Sequence, residues 1–152
     1  MGYIPENAEW YLAEIIEQIT VEDDPRIVVH TNVVLIHARS PEQAYEKANE
    51  LGKQSDISYD NTEGKLVTIK FRGLHDLNVI HDKLEHGAEL IYREDLGMDE
   101  PKIQALVSTK NDLGVFAPIK PPCGLNYAAG DIMEDLFKHF PHLKAQIKDN
   151  RT

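Results

Sequence analysis

Three imidazoles and three carboxylates fall within twelve residues of this chain: His75, Asp76, His81, Asp82, Glu85 and His86. Metal chemistry needs such groups to converge on one point, and acid–base chemistry needs them within hydrogen-bond reach of a common centre. On a helix His81 and Glu85 stand at i and i+4, share a face and can both reach one ion. His86 then points elsewhere, and His75 precedes the helix and can fold back over it. None of the established metal spacings is matched, so the plainer reading is a solvated helix face carrying a weak His81–Glu85 pair. A metal-dependent or acid–base enzyme built on His75, His81, Glu85 and His86 therefore ranks second, and neither a metal site nor a cofactor is expected.

Phe71-Arg72-Gly73-Leu74 leads into that cluster. Arg72, His75 and Asp76 suit a small anionic ligand if they ring a cleft at the end of a strand, although Arg72 more often pairs with a neighbouring carboxylate. Trp10 joins these binding candidates, against the plainer expectation that a tryptophan starting a strand closes the edge of the core. His30 and His37 are seven residues apart on one strand, so they face opposite sides and cannot form one site. His139 and His142 bracket Pro141, where a cation complements a helix end. Cys123 sits in Pro121-Pro122-Cys123-Gly124 with no base beside it and reads as inert. The chain has no G-x-S-x-G elbow, phosphate-binding glycine loop or paired Cys motif.

The elements that must position these residues are legible in the hydrophobic period. Tyr11, Ala13, Ile15, Ile19 and Val21 alternate, Glu22-Asp23-Asp24-Pro25 turns the chain, and Ile27 to Ala38 contains Val33-Val34-Leu35-Ile36, which predicts a long antiparallel hairpin. Ser40-Pro41-Glu42-Gln43 predicts a capped helix with Ala44, Ala48 and Leu51 on its apolar stripe, ended by Gly52 in the left-handed conformation. Ile57 and Tyr59 lead through Asp60-Asn61-Thr62-Glu63-Gly64 into the alternating Lys65 to Arg72, a second hairpin. Its acidic turn does not fit a calcium loop, because a twelve-residue loop from Asp56 puts Asn61 at the glycine position and Val67 at the bidentate acid. Asp76 is expected to cap a short helix through Leu77, Ile80 or His81, and Leu84. Residues 88–93 are expected to form a further strand, and Asp99 to cap another helix.

These elements make an α+β fold: an antiparallel sheet of about five strands with helices packed mainly on one face. An arm spans residues 1–9, the α+β domain 10–116, a proline-rich strap 117–130 and an amphipathic helix 131–149. Ile132, Met133, Leu136, Phe137 and Phe140 share one face of that last helix, which must be buried on its own sheet or, as the alternative, in a homodimer.

Composition bounds the rest. Apolar residues make up 41% of the 152, enough for one core without disulfides. The net charge of -10 repels phosphate backbones and anionic membranes, so no direct nucleic acid and no membrane partner are expected. No apolar stretch reaches the roughly 18 residues of a membrane span. With a single cysteine and no secretory leader pattern at its start, the expected location is the cytoplasm. Glu6 spoils a myristoylation signal, and Asn150-Arg151-Thr152 carries no weight as a glycosylation acceptor outside a secreted chain.

Trp10-Tyr11-Leu12-Ala13-Glu14, Val33 to Ile36, Ser40 to Tyr45, Phe71 to Leu74 and Leu84-Glu85-His86-Gly87-Ala88-Glu89-Leu90 together resemble a family of small bacterial proteins, cyanobacterial members included, classed as a domain of unknown function. The resemblance runs from about Trp10 to Phe116. It implies a bacterial origin and the strand–helix–strand order, and it brings no activity, cofactor or catalytic residue. The resulting expectation is a binding or protein-interaction module, regulatory or immunity-like, that meets a protein partner or a small anionic ligand near Arg72 and His75. A mimic of nucleic acid that inhibits a DNA-binding protein is a third reading.

Overall fold

The β-branched run and the alternating segment before it pair as expected. In the computed structural model, which describes residues 3–119 and 124–129, strand β1 (Trp10–Val21) lies antiparallel to β2 (Asp24–His37) from Trp10–His37 down to Val21–Asp24. Only Glu22 and Asp23 turn the chain. Asp23 supplies the left-handed residue (φ 65°) that a two-residue hairpin requires, a conformation Asp tolerates better than most side chains. Pro25 falls inside β2, and β2 is an edge strand, where a missing N–H is tolerated.

Helix α1 (Pro41–Gln54) starts where the capping signal puts it. The Ser40 hydroxyl accepts from the Gln43 N–H at 3.1 Å, and the Gln43 side-chain carbonyl accepts from the Arg39 N–H at 2.8 Å. Its end differs from expectation. Gly52 remains inside the helix without a positive φ, and Ser55 caps the C-terminus in a right-handed conformation. The role of Gly52 is close approach: a Cβ there would stand 2.4 Å from the Phe71 ring. Ala44, Ala48 and Gly52 thus form a small-residue stripe that seats α1 on the sheet, while Leu51 stays exposed.

Strand β3 (Ile57–Asp60) and β4 (Leu66–Val79) complete a four-stranded antiparallel sheet in the order β2-β1-β4-β3. β4 overturns two expectations at once. Of the helix expected from Leu77 to Leu84, residues 77–79 are the last part of this strand and 80–84 are irregular, as are 88–93, so among the described residues the sheet has four strands rather than five. The spacing of Phe71, Leu74 and Leu77 imitates a helix because β4 carries two bulges. Glu14 pairs with Asp76 and Ile15 with Leu74, which leaves His75 out. Ile16 pairs with Gly73 and Glu17 with Phe71, which leaves Arg72 out. Each extra residue stretches the two-residue period to three and returns the next apolar side chain to the core.

One face of the sheet carries both halves of the core. Tyr11, Ala13, Ile15 and Ile36 pack with Ala44 and Ala48 of α1, joined by Phe71, Leu74, Leu77 and Val79. Further along, Ile19, Val21 and Val67 pack with Leu125 of the strap. Asn61, the one buried polar residue among those described, fastens the strap there. Its side chain accepts from the Glu63 and Lys65 N–H groups and donates to the Asn126 carbonyl, all at 2.9 Å. A second helix, α2 (Glu100–Leu106), is capped by Asp99 as expected but buries none of its residues, so among the described residues α1 alone provides the helical cover. The expected helix 131–149, with His139 and His142, and Cys123 lie outside the described residues.

Candidate functional site

β1 and β4 end together beside the start of α1, and the chain then runs irregularly from Ile80 to Asp99. Asp82 organises that segment by accepting the Glu89 N–H at 3.0 Å, and Gly87 (φ 84°) makes the tight turn between them. The arm folds against it, with the Tyr3 and His81 rings stacked 7° from parallel at 6.3 Å. These pieces enclose a cleft of about 650 Å³, within the range of small-ligand sites.

Three tyrosines, Tyr3, Tyr11 and Tyr92, line the cleft together with Asp76, Asp82, Glu89 and Glu94. Pro41, His81 and the end of β4 add to the wall, and among the described residues no Lys or Arg lines it. Asp76 is held ionised. Its carboxylate accepts from the Asn78 side chain and the Leu77 N–H, both at 2.9 Å, and these bonds, with His75 nearby, lower its pKa below the usual carboxylate value. Burial, and secondarily Glu42, pushes the Tyr11 hydroxyl up, so it stays protonated. The cleft is therefore lined by carboxylates, of which Asp76 and Asp82 are held by hydrogen bonds, beside aromatic rings, an arrangement that attracts cations.

The candidate residues are divided among several places. Asp76 and His81 line the cleft. Glu85 and His86 edge a shallower hollow of about 390 Å³ on the other side of His81, and the helix face expected to join His81 to Glu85 does not exist, because the strand runs on and then unwinds. Among the described residues no group of three or more His, Cys, Asp or Glu is placed to hold a metal ion. Arg72 and His75 are the two bulge residues. Both are exposed and neither lines the cleft; Arg72 instead donates to the Gln18 side chain. Trp10 packs its ring 4.8 Å from that of His37, while His30 faces Tyr127 of the strap, so the two histidines do lie on opposite faces. The sequence reading missed Tyr3, Tyr11, Tyr92, Glu89 and Glu94.

A small antiparallel sheet backed by α1, with an acidic and aromatic cleft at its strand ends, makes this an α+β domain. The chain belongs to the family described as Domain of unknown function (DUF4288), which it matches over residues 10–92. That span holds the whole sheet, α1 and the cleft lining apart from Tyr3, Ile4 and Glu94. No curated protein and no solved structure matches the chain. Among the described residues no helix is long and apolar enough to cross a membrane.

Proposed function

We propose that the protein is a non-catalytic binding module whose cleft takes a lysine- or arginine-bearing segment of a protein partner. The observation that carries this reading is the cleft lining of three tyrosines and four carboxylates, with His81 as its one basic side chain among the described residues. A guanidinium or ammonium group gains there from carboxylate hydrogen bonds and from the ring faces together. The overall charge of -10 steers a basic partner toward the surface and speeds encounter. The same carboxylates repel an anion, which sets the anionic ligand aside in favour of the protein partner. Masking the cationic groove of such a partner is the regulatory or immunity-type role that this chemistry supports.

Calorimetric titration of the full chain with Lys/Arg-rich peptides, and with Glu-rich peptides of equal length, tests the proposal. The basic peptides bind, more weakly as salt rises, and Glu89→Gln with Glu94→Gln weakens them about tenfold, or ~1.4 kcal/mol. Equal binding by that double variant, or a preference for the acidic peptides, refutes it.

A further inference from the structure

Natural sheet edges are blunted by charge, proline or a bulge, because a free edge offers its backbone to any other strand. The 14-residue edge strand β2 has these devices only at its turn end, where Pro25 and the register shift near Val21 lie. From Ile27 to Ile36 its backbone makes no hydrogen bond beyond the β1 ladder among the described residues. Ile27 to Ala38 also carries no Asp, Glu, Lys or Arg, the longest such run in the chain, so like-charge repulsion between copies of this acidic protein is least there. Ile27, Val29, Val33 and Leu35 alternate with the core residues Val28, Val34 and Ile36, share the face turned away from α1, and are 58, 58, 56 and 46% exposed. That face turns polar one strand further in. Glu14 lies opposite Val33 and Asp76, and Gln18 opposite Val29 and Lys70. A second sheet stacked on the face would bury those charges, so the aliphatic stripe suits an edge contact rather than a stacked one.

We propose that β2 pairs antiparallel with β2 of a second copy across a two-fold axis at Thr31, joining two four-stranded sheets into one. The stripe is symmetric about that residue, which is what an isologous contact requires. Ile27 meets the partner's Leu35, Val29 meets the partner's Val33, and Thr31 meets its own counterpart; on the other face Val28 meets the partner's Val34. Moving the axis to His30 or Asn32 sets Thr31 against Val29 or Val33, and leaves Leu35 against Pro25 or Ile27 against His37. Helix α1 lies mainly over β4 and β1, so it leaves this edge clear. The assembly closes at two copies. The opposite edge, β3, has only four residues, and the chain just past it is bridged to the strap through Asn61 and Ala129.

Sedimentation of the full chain at micromolar concentration should give the mass of a dimer. Thr31→Lys, which sets two cations against each other at the axis, should give a monomer whose far-ultraviolet signature is unchanged. Single cysteines in the full chain with Cys123→Ser then read the register. Opposite residues of an antiparallel pair have Cα atoms about 4.5–5.5 Å apart, within disulfide reach, so Thr31→Cys should oxidise to a covalent dimer. Val29→Cys and Val33→Cys each stand about 13 Å from their own counterpart across the axis. Each should stay reduced alone, and the two should crosslink when the chains are mixed and oxidised. A monomer at micromolar concentration, a dimer that survives Thr31→Lys, or crosslinking that does not depend on position overturns the proposal, the second by placing the contact elsewhere on the chain. Where Thr31→Lys fails to fold, the cysteine pattern alone decides.

Discussion

Asp24 and Asp76 are held ionised by the same device, a partner two residues along the same strand. In a strand, residues i and i+2 project from one face, so a carboxylate can reach the side chain of the next residue but one without bending the backbone. Asp76 uses Asn78 in this way. Asp24 uses Arg26, whose Nε and Nη2 donate to its two oxygens at 2.9 and 2.6 Å and whose backbone N–H adds a third bond at 3.0 Å. The side-chain bonds first, then the backbone bond, lower the Asp24 pKa from 3.8 to about 2. Because the folded value lies below the unfolded one, the interaction stabilises the fold at pH values above 3.8, and that contribution is lost as pH falls through about 2. Both groups are largely in water, so the effect on stability is small and the titration itself is the readout. Carboxyl carbon NMR should place the Asp24 midpoint near pH 2 in the native chain. Arg26→Gln should return it toward the ordinary carboxylate value; an unchanged midpoint would assign the shift to another cause.

At the level of elements, the contact of α1 with the sheet turns on Gly52. Replacing it with alanine improves helix propensity by up to about 1 kcal/mol, yet the new Cβ would lie 2.4 Å from two carbons of the Phe71 ring and 2.8 Å from a third. Overpacking of this kind costs roughly 1–3 kcal/mol, so the clash outweighs the propensity gain. Gly52→Ala should destabilise the fold by a net of up to ~2 kcal/mol, read as a lower denaturant midpoint, and Phe71→Leu in the same chain should recover part of that loss. Additive losses would show that the two sites do not touch. Ala44 and Ala48 on the packing stripe were legible in the sequence, as were the capping signal at Ser40 and both hairpins, because local chemistry fixes each of them; the third stripe position was given to Leu51 and belongs to Gly52. The second half of β4 was not. The helix was read from Asp76 as a cap and from Leu77, Ile80 and Leu84 at helical spacing, but Leu77 belongs to the strand and Ile80 and Leu84 to the irregular segment after it, an apolar spacing that a single sequence cannot tell from a helix. That misreading also displaced the candidate site, since the predicted helix face joined His81 to Glu85, whereas the strand carries Asp76 and Asn78 to the cleft mouth instead. Asp76 and His81 were therefore found for the wrong reason, and Tyr92 and Glu94 not at all, because their convergence depends on how an irregular segment folds back.

Across the whole molecule, the sheet face covered by α1 is longer than α1 can cover. The helix meets the half of the core around Ala13 and Ile36, and the half around Ile19, Val21 and Val67 would face water but for Leu125. The family match ends at residue 92, so this second cover comes from beyond it, from a strap whose prolines and glycines read as a plain connector. The hydrogen bonds of Asn61 to Asn126 and of Tyr59 to the Tyr127 carbonyl hold it in place. If the strap is part of the core, Leu125→Ala removes a side chain only 4% exposed and should cost about 2–4 kcal/mol, read as a lower denaturant midpoint at unchanged slope. Leu106→Ala is the matched control, since that leucine of α2 is 65% exposed and its loss should change stability by less than about 0.5 kcal/mol. A connector would give the same small value at both positions. The difference between the two leucines therefore measures how far the folded unit extends past the family's own boundary.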